Sequence, residues 1–214
     1  TADALVVPEG YVASVIAAWG EPVGVPGNMP AWRDDVTQGA AEQAVQMGMH
    51  HDGIHFYPLA GSSTRGLLAM NHEYVDDGLL HPDGLKTWSA DKVKKAQAAH
   101  GVAVIEVERK NDAWAMVRPS AYARRFTANT PFALGGPAAG HAMMKTAADP
   151  LGRSVLGTLN NCASGITPSI HTSAHGVAFR CIVPFGSAIG MRLVFPATTS
   201  ARAGARKDSV SLTT

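Results

Sequence analysis

Val102-Ala103-Val104-Ile105-Glu106-Val107-Glu108-Arg109, followed by Asn111-Asp112 and Ala113-Trp114-Ala115-Met116-Val117, reads as a β-hairpin. Branched and apolar residues dominate the first arm, and an Asn-Asp pair accepts the backbone of a tight turn. This stretch sets the class as mainly β. The 22 Gly and 13 Pro of the chain agree, because they favour turn-rich sheets over a helical bundle.

The residues before the hairpin supply the one clear helix. Ser89 serves as its N-cap, the interior through Ala99 is rich in helix formers, and Gly101 ends it. Lys92, Lys94 and Lys95 are expected on its solvated face. Further back, Leu67-Leu68-Ala69-Met70 forms an apolar strand that ends in Asn71-His72-Glu73. In Met49-His50-His51-Asp52-Gly53-Ile54-His55, either His51, Gly53 and His55 share a strand face or Asp52-Gly53 makes a turn. Residues 20–37 read as a long, lid-like loop and residues 76–87 as an irregular one. Near the start, Pro8-Glu9-Gly10 turns the chain into a strand over 11–16.

After the hairpin, Tyr122-Ala123-Arg124-Arg125-Phe126 is a short strand, and a Gly/Pro loop over 129–140 leads to His141. Val155 to Leu159 carries the chain into Gly157-Thr158-Leu159-Asn160-Asn161-Cys162-Ala163-Ser164-Gly165-Ile166-Thr167-Pro168. Beyond Pro168 no Trp or Tyr follows. Two strands are expected near 177–183 and 191–195, His171 and His175 read as loop histidines, and the last fifteen residues read as disordered. The charge balance changes at the same place. Residues 1–168 carry 13 Lys+Arg against 16 Asp+Glu, whereas five basic residues and one acid follow. The expected organisation is therefore a domain over 1–168 and a divergent basic tail over 169–214.

Composition narrows the function classes. Hydrophobic residues make up 46% of the chain and charged ones 16%, which suits a globular protein. No run of about 18 apolar residues marks a membrane span. No basic and apolar leader is visible at the start, as would also hold for a processed chain. The scattered basic residues of the tail fit no nucleic-acid-binding motif. With two cysteines, a single Cys162–Cys181 bridge stays open as an alternative to free thiols.

Three places can carry chemistry. Cys162 offers a thiolate beside amide ligands at Asn160 and Asn161, although a structural turn with a buried free cysteine accounts for the same residues. Three histidines and an acid lie within His50–His55, either as a metal site or as packed, hydrogen-bonded side chains. Glu73 follows a buried strand, so it needs a cation, a donor or solvent.

Seven segments, in this order, resemble the PhoX-type alkaline phosphatases: Val7-Pro8-Glu9-Gly10-Tyr11; Gly48-Met49-His50-His51-Asp52-Gly53; Arg65-Gly66-Leu67-Leu68 with Asn71-His72-Glu73-Tyr74; Gln97-Ala98-Ala99-His100-Gly101-Val102; Tyr122-Ala123-Arg124-Arg125; Gly136-Pro137-Ala138-Ala139-Gly140-His141; and Gly157-Thr158-Leu159-Asn160-Asn161-Cys162. The resemblance covers about residues 5–168 and not the tail. It implies a partial or shortened β-propeller-like domain, mainly β, with one clear helix and long loops. It also implies iron and calcium as cofactors, hydrolysis of phosphomonoesters, and export to the periplasm or beyond. Cys162 and Glu73 are the metal ligands that it implies. His51, Asp52, His72, His141 and Asn161 are expected near the site.

At about 40 residues per blade, residues 1–168 are too few to close a six-bladed ring. Two expectations follow. One is a metal-dependent phosphomonoesterase that clamps phosphate through a metal cluster, completed by the tail or by a second copy in a homo-oligomer. The other is a non-catalytic propeller fragment with residual metal or phosphate binding. Neither involves nucleic acid or a membrane.

Overall fold

The structure, a computed structural model, describes residues 5–166 and, as backbone, three further strands within 176–213. Five strands form the first sheet: β1 (His51–Pro58), β2 (Arg65–His72), β3 (Gly101–Lys110), β4 (Ala113–Met116) and β5 (Arg124–Phe126). They run antiparallel in the order β1-β2-β3-β4, and β5 also pairs with β3. The hairpin is present as read. Asn111 and Asp112 both adopt positive φ, 50° and 61°, the backbone of a tight turn joining β3 to β4.

β2 and β3 are apolar through most of their length because both are central. Leu67, Ala69, Val102, Val104 and Phe126 pack on one side. Met70, Ala103, Ile105 and Val107 pack on the other with Val23 and Met47. A strand that is buried on both faces reads as a continuous apolar run rather than an alternating one. Each fully buried aliphatic side chain contributes about 1.5–3 kcal/mol. Glu106 is a buried carboxylate in this sheet, and it accepts from Arg65 Nε at 2.7 Å and from Ser120 Oγ at 2.5 Å.

Three helices flank the sheet: α1 (Ala40–Gln43), α2 (Asp77–Leu80) and α3 (Ala90–Ala99). Ser89 caps α3, its Oγ accepting from the Lys92 amide at 3.3 Å. Gly101 follows at φ +110°, and a Cβ there would lie 1.9 Å from the Phe126 carbonyl oxygen, so only glycine fits between helix and strand. Lys94 is exposed as expected, but Lys92 and Lys95 are not on a solvated face. Lys95 is buried and donates to the Val36 carbonyl at 2.6 Å, while Lys92 pairs with Asp83 at 2.5 Å. The α3 surface is covered by the 20–46 segment, and sequence periodicity does not report such a cover.

Within that segment the 20–37 loop is present and is anchored at its start, while most of residues 26–37 are exposed. Gly20 and Val23 donate to the carbonyls of Met47 and Val45, each at 3.0 Å, and the Trp19 and Trp32 ring centroids lie 4.5 Å apart. Residues 76–87 contain α2 where a wholly irregular loop was expected. The turn at residues 8–11 is present, with the Tyr11 amide donating to Pro8 at 3.1 Å. The strand expected over 11–16 is not. Tyr11, Val12 and Val15 stay exposed, and no partner strand among the described residues takes up their backbone groups.

The second sheet has the order β7-β6-β11-β10-β9-β8. Its strands are β6 (Pro131–Leu134), β7 (Ser154–Leu156), β8 (Ala163–Ile166), β9 (Gly176–Ile182), β10 (Ala188–Val194) and β11 (Ser211–Thr213). β6 lies inside the expected 129–140 loop. The two late strands match β9 and β10, and β11 falls in the stretch read as disordered. The rest of that stretch, with His171 and His175, lies outside the described residues. Mainly antiparallel β structure is therefore established, and neither sheet closes on itself among the described residues. No helix among them is long and apolar enough to cross a membrane.

Candidate metal centre

Asp52, Glu73 and Cys162 come together from three separate segments. Their carboxylate oxygens and Sγ all lie within 4.8 Å of one another. Each is delivered by a distinct local feature.

Asp52 sits on an irregularity in β1. His51 pairs with His72 and Ile54 with Met70, so β1 uses one residue more than β2 between these points. This β-bulge re-aims the side chain at the extra position. Neither sequence reading holds in full: Asp52-Gly53 lies within a strand, not a turn, and the bulge there breaks the alternation that would put His51, Gly53 and His55 on one face.

Glu73 lies just beyond the end of β2. Its amide donates to the His50 carbonyl at 3.2 Å, which holds it beside the start of β1. His50 has φ +47°, and Asn160, two residues before Cys162, has φ +54°. Left-handed residues other than glycine are uncommon, and both flank this cluster.

Cys162 is a free, exposed thiol, so neither the Cys162–Cys181 bridge nor the buried structural cysteine is present. Its carbonyl accepts from the Gly53 amide at 3.2 Å and from Asn71 Nδ2 at 3.4 Å. One donor adjoins Asp52 and the other lies two residues before Glu73. Thus the backbone that carries the thiol is tied to the backbone that carries each carboxylate. Gly53 is needed for this approach, because a Cβ there would lie 2.5 Å from Ser164 Oγ and 2.7 Å from the Ser164 amide nitrogen.

The charges are mutually unfavourable without a cation. A hydrogen bond to Asp52, then the negative charge of Glu73, push the Cys162 thiol above its ordinary value. A bound cation reverses this logic, because it favours thiolate and carboxylate together. Two oxygen donors and one sulfur suit a site that combines hard and softer metal character. The donor set thus fits a metal centre.

The other expected residues divide. His72 is fully buried, and its Nε2 accepts from the Gly48 amide at 3.3 Å. Desolvation, then the charge of Arg125, hold its imidazole well below the ordinary value. His51 retains surface, yet desolvation by the packed protein and then Arg125 also lower it. The two rings lie 4.9 Å apart. Asn161 is buried and donates from Nδ2 to the Gly101 carbonyl at 2.8 Å. His141 accepts from the Met143 amide at 3.2 Å, capping its own exposed turn, and is not part of the cluster. Among the described residues, only Asp52 of the histidine-rich stretch joins the cluster, and His50 lies against Tyr74 and His55 against Tyr57.

Two supporting residues escaped the sequence reading. Asn71 was visible only as a polar residue at a strand end. Arg125 is half-buried, and no carboxylate among the described residues pairs with its guanidinium. It donates to the carbonyls of Gln46, Ala98, His100, Val102 and Phe126 at 2.8–3.3 Å, and burial lowers its pKa to about 9. It ties the end of α3, the start of β3 and the segment before β1 into one block under the site.

Two carboxylates and a thiol gathered on the end of an antiparallel sheet define a candidate metalloprotein. The family follows from comparison: "Alkaline phosphatase PhoX" matches residues 1–171, and the chain belongs to that family. Among solved structures it is similar to Pseudomonas fluorescens PhoX in complex with vanadate, described as a transition state analogue. The two are 45% identical with a TM-score of 0.71 over 76% of this chain. The chain spans 28% of the length of that protein. No curated protein sequence matches it.

Proposed function

We propose that this chain carries part of the metal centre of a PhoX-type phosphomonoesterase, with Cys162, Glu73 and Asp52 as ligands. The observation that carries the reading is the convergence of these three donors within 4.8 Å from segments far apart in sequence. Iron and calcium are the proposed metals, with the thiolate and carboxylates meeting iron and the carboxylates alone able to meet calcium. Such ions would supply charge to hold a phosphoryl group and polarise it.

The residues of the chain do the positioning. Gly53 and Asn71 fix the Cys162 backbone, and the bulge aims Asp52. Asp52 and Glu73 favour the protonated Cys162 thiol, and a bound metal ion would favour the thiolate instead. Desolvation and Arg125 lower the pKa of His51 and His72, which disfavours a positive charge on either ring that would compete with a metal. In the fuller arrangement the two open sheets are taken as blades of a propeller-like ring in an exported protein. Residues 169–214, or a second copy of the chain, would supply further ligands.

A second reading rests on the 28% span of the solved relative. On it, the chain binds metal through these residues without turning over substrate. Phosphomonoesterase activity at alkaline pH, measured with metal content on wild type and Cys162→Ala, separates the two. Activity and metal that are both lost in the variant support the enzyme. Metal without activity supports the binding fragment, and no metal in the wild type overturns both.

A further inference from the structure

Asn161 precedes the thiol and is fully buried, yet only half of its amide is satisfied. Nδ2 donates to Gly101 at 2.8 Å, while Oδ1 has no hydrogen-bond partner among the described residues. A buried carbonyl oxygen without a partner costs about 1–3 kcal/mol. An apolar side chain would avoid that penalty, so simple space-filling gives no reason for asparagine here.

Its bonded partner explains the choice. Gly101 begins β3, pairs in register with His72 at the end of β2, and is fixed against Phe126 by close packing. A bond from Asn161 to Gly101 therefore sets the cysteine loop relative to the strand end from which Glu73 emerges. The contacts of the Cys162 carbonyl, 3.2 Å to the Gly53 amide and 3.4 Å to Asn71, are long. The shorter Asn161 bond sits one residue away and spans 60 positions of sequence.

We propose that Asn161 is a positioning residue: its side-chain amide clamps the loop to β3 and so holds the Cys162 thiol against Asp52 and Glu73. The inference rests on the metal reading for its purpose but not for its first test. That test is amide hydrogen exchange on the full chain without metal, comparing wild type, Asn161→Ala, and Val23→Ala as a core variant that lowers stability away from the site. In Asn161→Ala the Gly53 amide, which bonds Cys162, should exchange at least about tenfold faster relative to Ile105 in the central strand. In Val23→Ala the two should change together, because global unfolding exposes both.

A Gly53 amide that is unprotected in the wild type, or that follows Ile105 in Asn161→Ala, overturns the proposal. The second arm is titration with cobalt(II), read by its sulfur charge-transfer absorption. Asn161→Ala should weaken binding at least about tenfold, and Val23→Ala should bind as the wild type does. Faster Gly53 exchange with unchanged cobalt affinity overturns the positioning role. A wild type that binds no cobalt counts against the metal reading, and the exchange comparison alone then decides whether Asn161 holds the loop.

Discussion

The backbone carbonyl of Cys162 accepts a hydrogen bond from the amide of Gly53 at 3.2 Å, across 109 positions of sequence. This bond links the bulge that aims Asp52 to the loop that carries the thiol. Gly53→Ala tests this. The added methyl would meet Ser164 at 2.5–2.7 Å and force the two segments apart. Overpacking of this kind costs about 1–3 kcal/mol. The expected outcome, read by denaturant unfolding and metal titration, is a modest loss of stability with a larger loss of metal affinity.

The proton on Cys162 should respond to its neighbours. Asp52, through its hydrogen bond and charge, and Glu73 hold the thiol above the ordinary value. Asp52→Asn should bring the thiol back down, since an amide carries no charge. Alkylation by iodoacetamide across a pH series reports the change. The variant should react faster than wild type at mildly alkaline pH, with its midpoint at lower pH.

Arg125 should tolerate little change. Five backbone carbonyls depend on it, and no other donor among the described residues reaches them all. Arg125→Lys offers three protons from a single point in place of a planar fork, and leaves buried carbonyls unpaired. A loss of roughly 3 kcal/mol or more is expected from urea unfolding. The end of α3 and the start of β3 should lose exchange protection first.

Lys95 gives the fold an alkaline dependence. Burial is the main cause that lowers its pKa from 10.5 to about 8. Between these values the unfolded chain holds a proton that the folded chain has released, so stability rises with pH across that window. It is lowest, for this group, below pH 8, where the folded state must keep the buried charge. The slope is at most about 1.4 kcal/mol per pH unit. Lys95→Met should flatten the rise when its melting temperature is compared with the wild type between pH 8 and 10.

Local patterns made part of this molecule legible. The β3–β4 hairpin, the Ser89-capped helix and the Leu67–His72 strand follow from residues adjacent in sequence, whose turn and cap chemistry acts locally. The N-terminal strand failed for the opposite reason: alternation over 11–16 marks a segment able to pair, but says nothing of whether a partner strand lies beside it. Lys95 was misplaced because the cover over α3 comes from residues about 60 positions earlier. The cluster itself was half visible. Cys162 and Glu73 stood out by residue type and by resemblance, whereas the bulge that brings Asp52 in, and the Asn71 and Arg125 bonds beneath it, are products of register and tertiary packing. Nothing in the local sequence distinguishes Arg125 from its neighbour Arg124, yet Arg125 bonds the distant carbonyls of Gln46, Ala98 and His100, whereas the bonds of Arg124 go to the adjacent Ala121 and Ala123.

The most direct test is metal content. The purified chain is dialysed against iron and calcium, freed of excess, and analysed for metal per protein beside Cys162→Ala, Glu73→Gln and Asp52→Asn. Bound metal in stoichiometric amount in the wild type, falling in each variant while the variants stay folded, is the predicted result. A wild type that retains no metal, or variants that retain as much as the wild type, would contradict the assignment of these three residues as a metal centre.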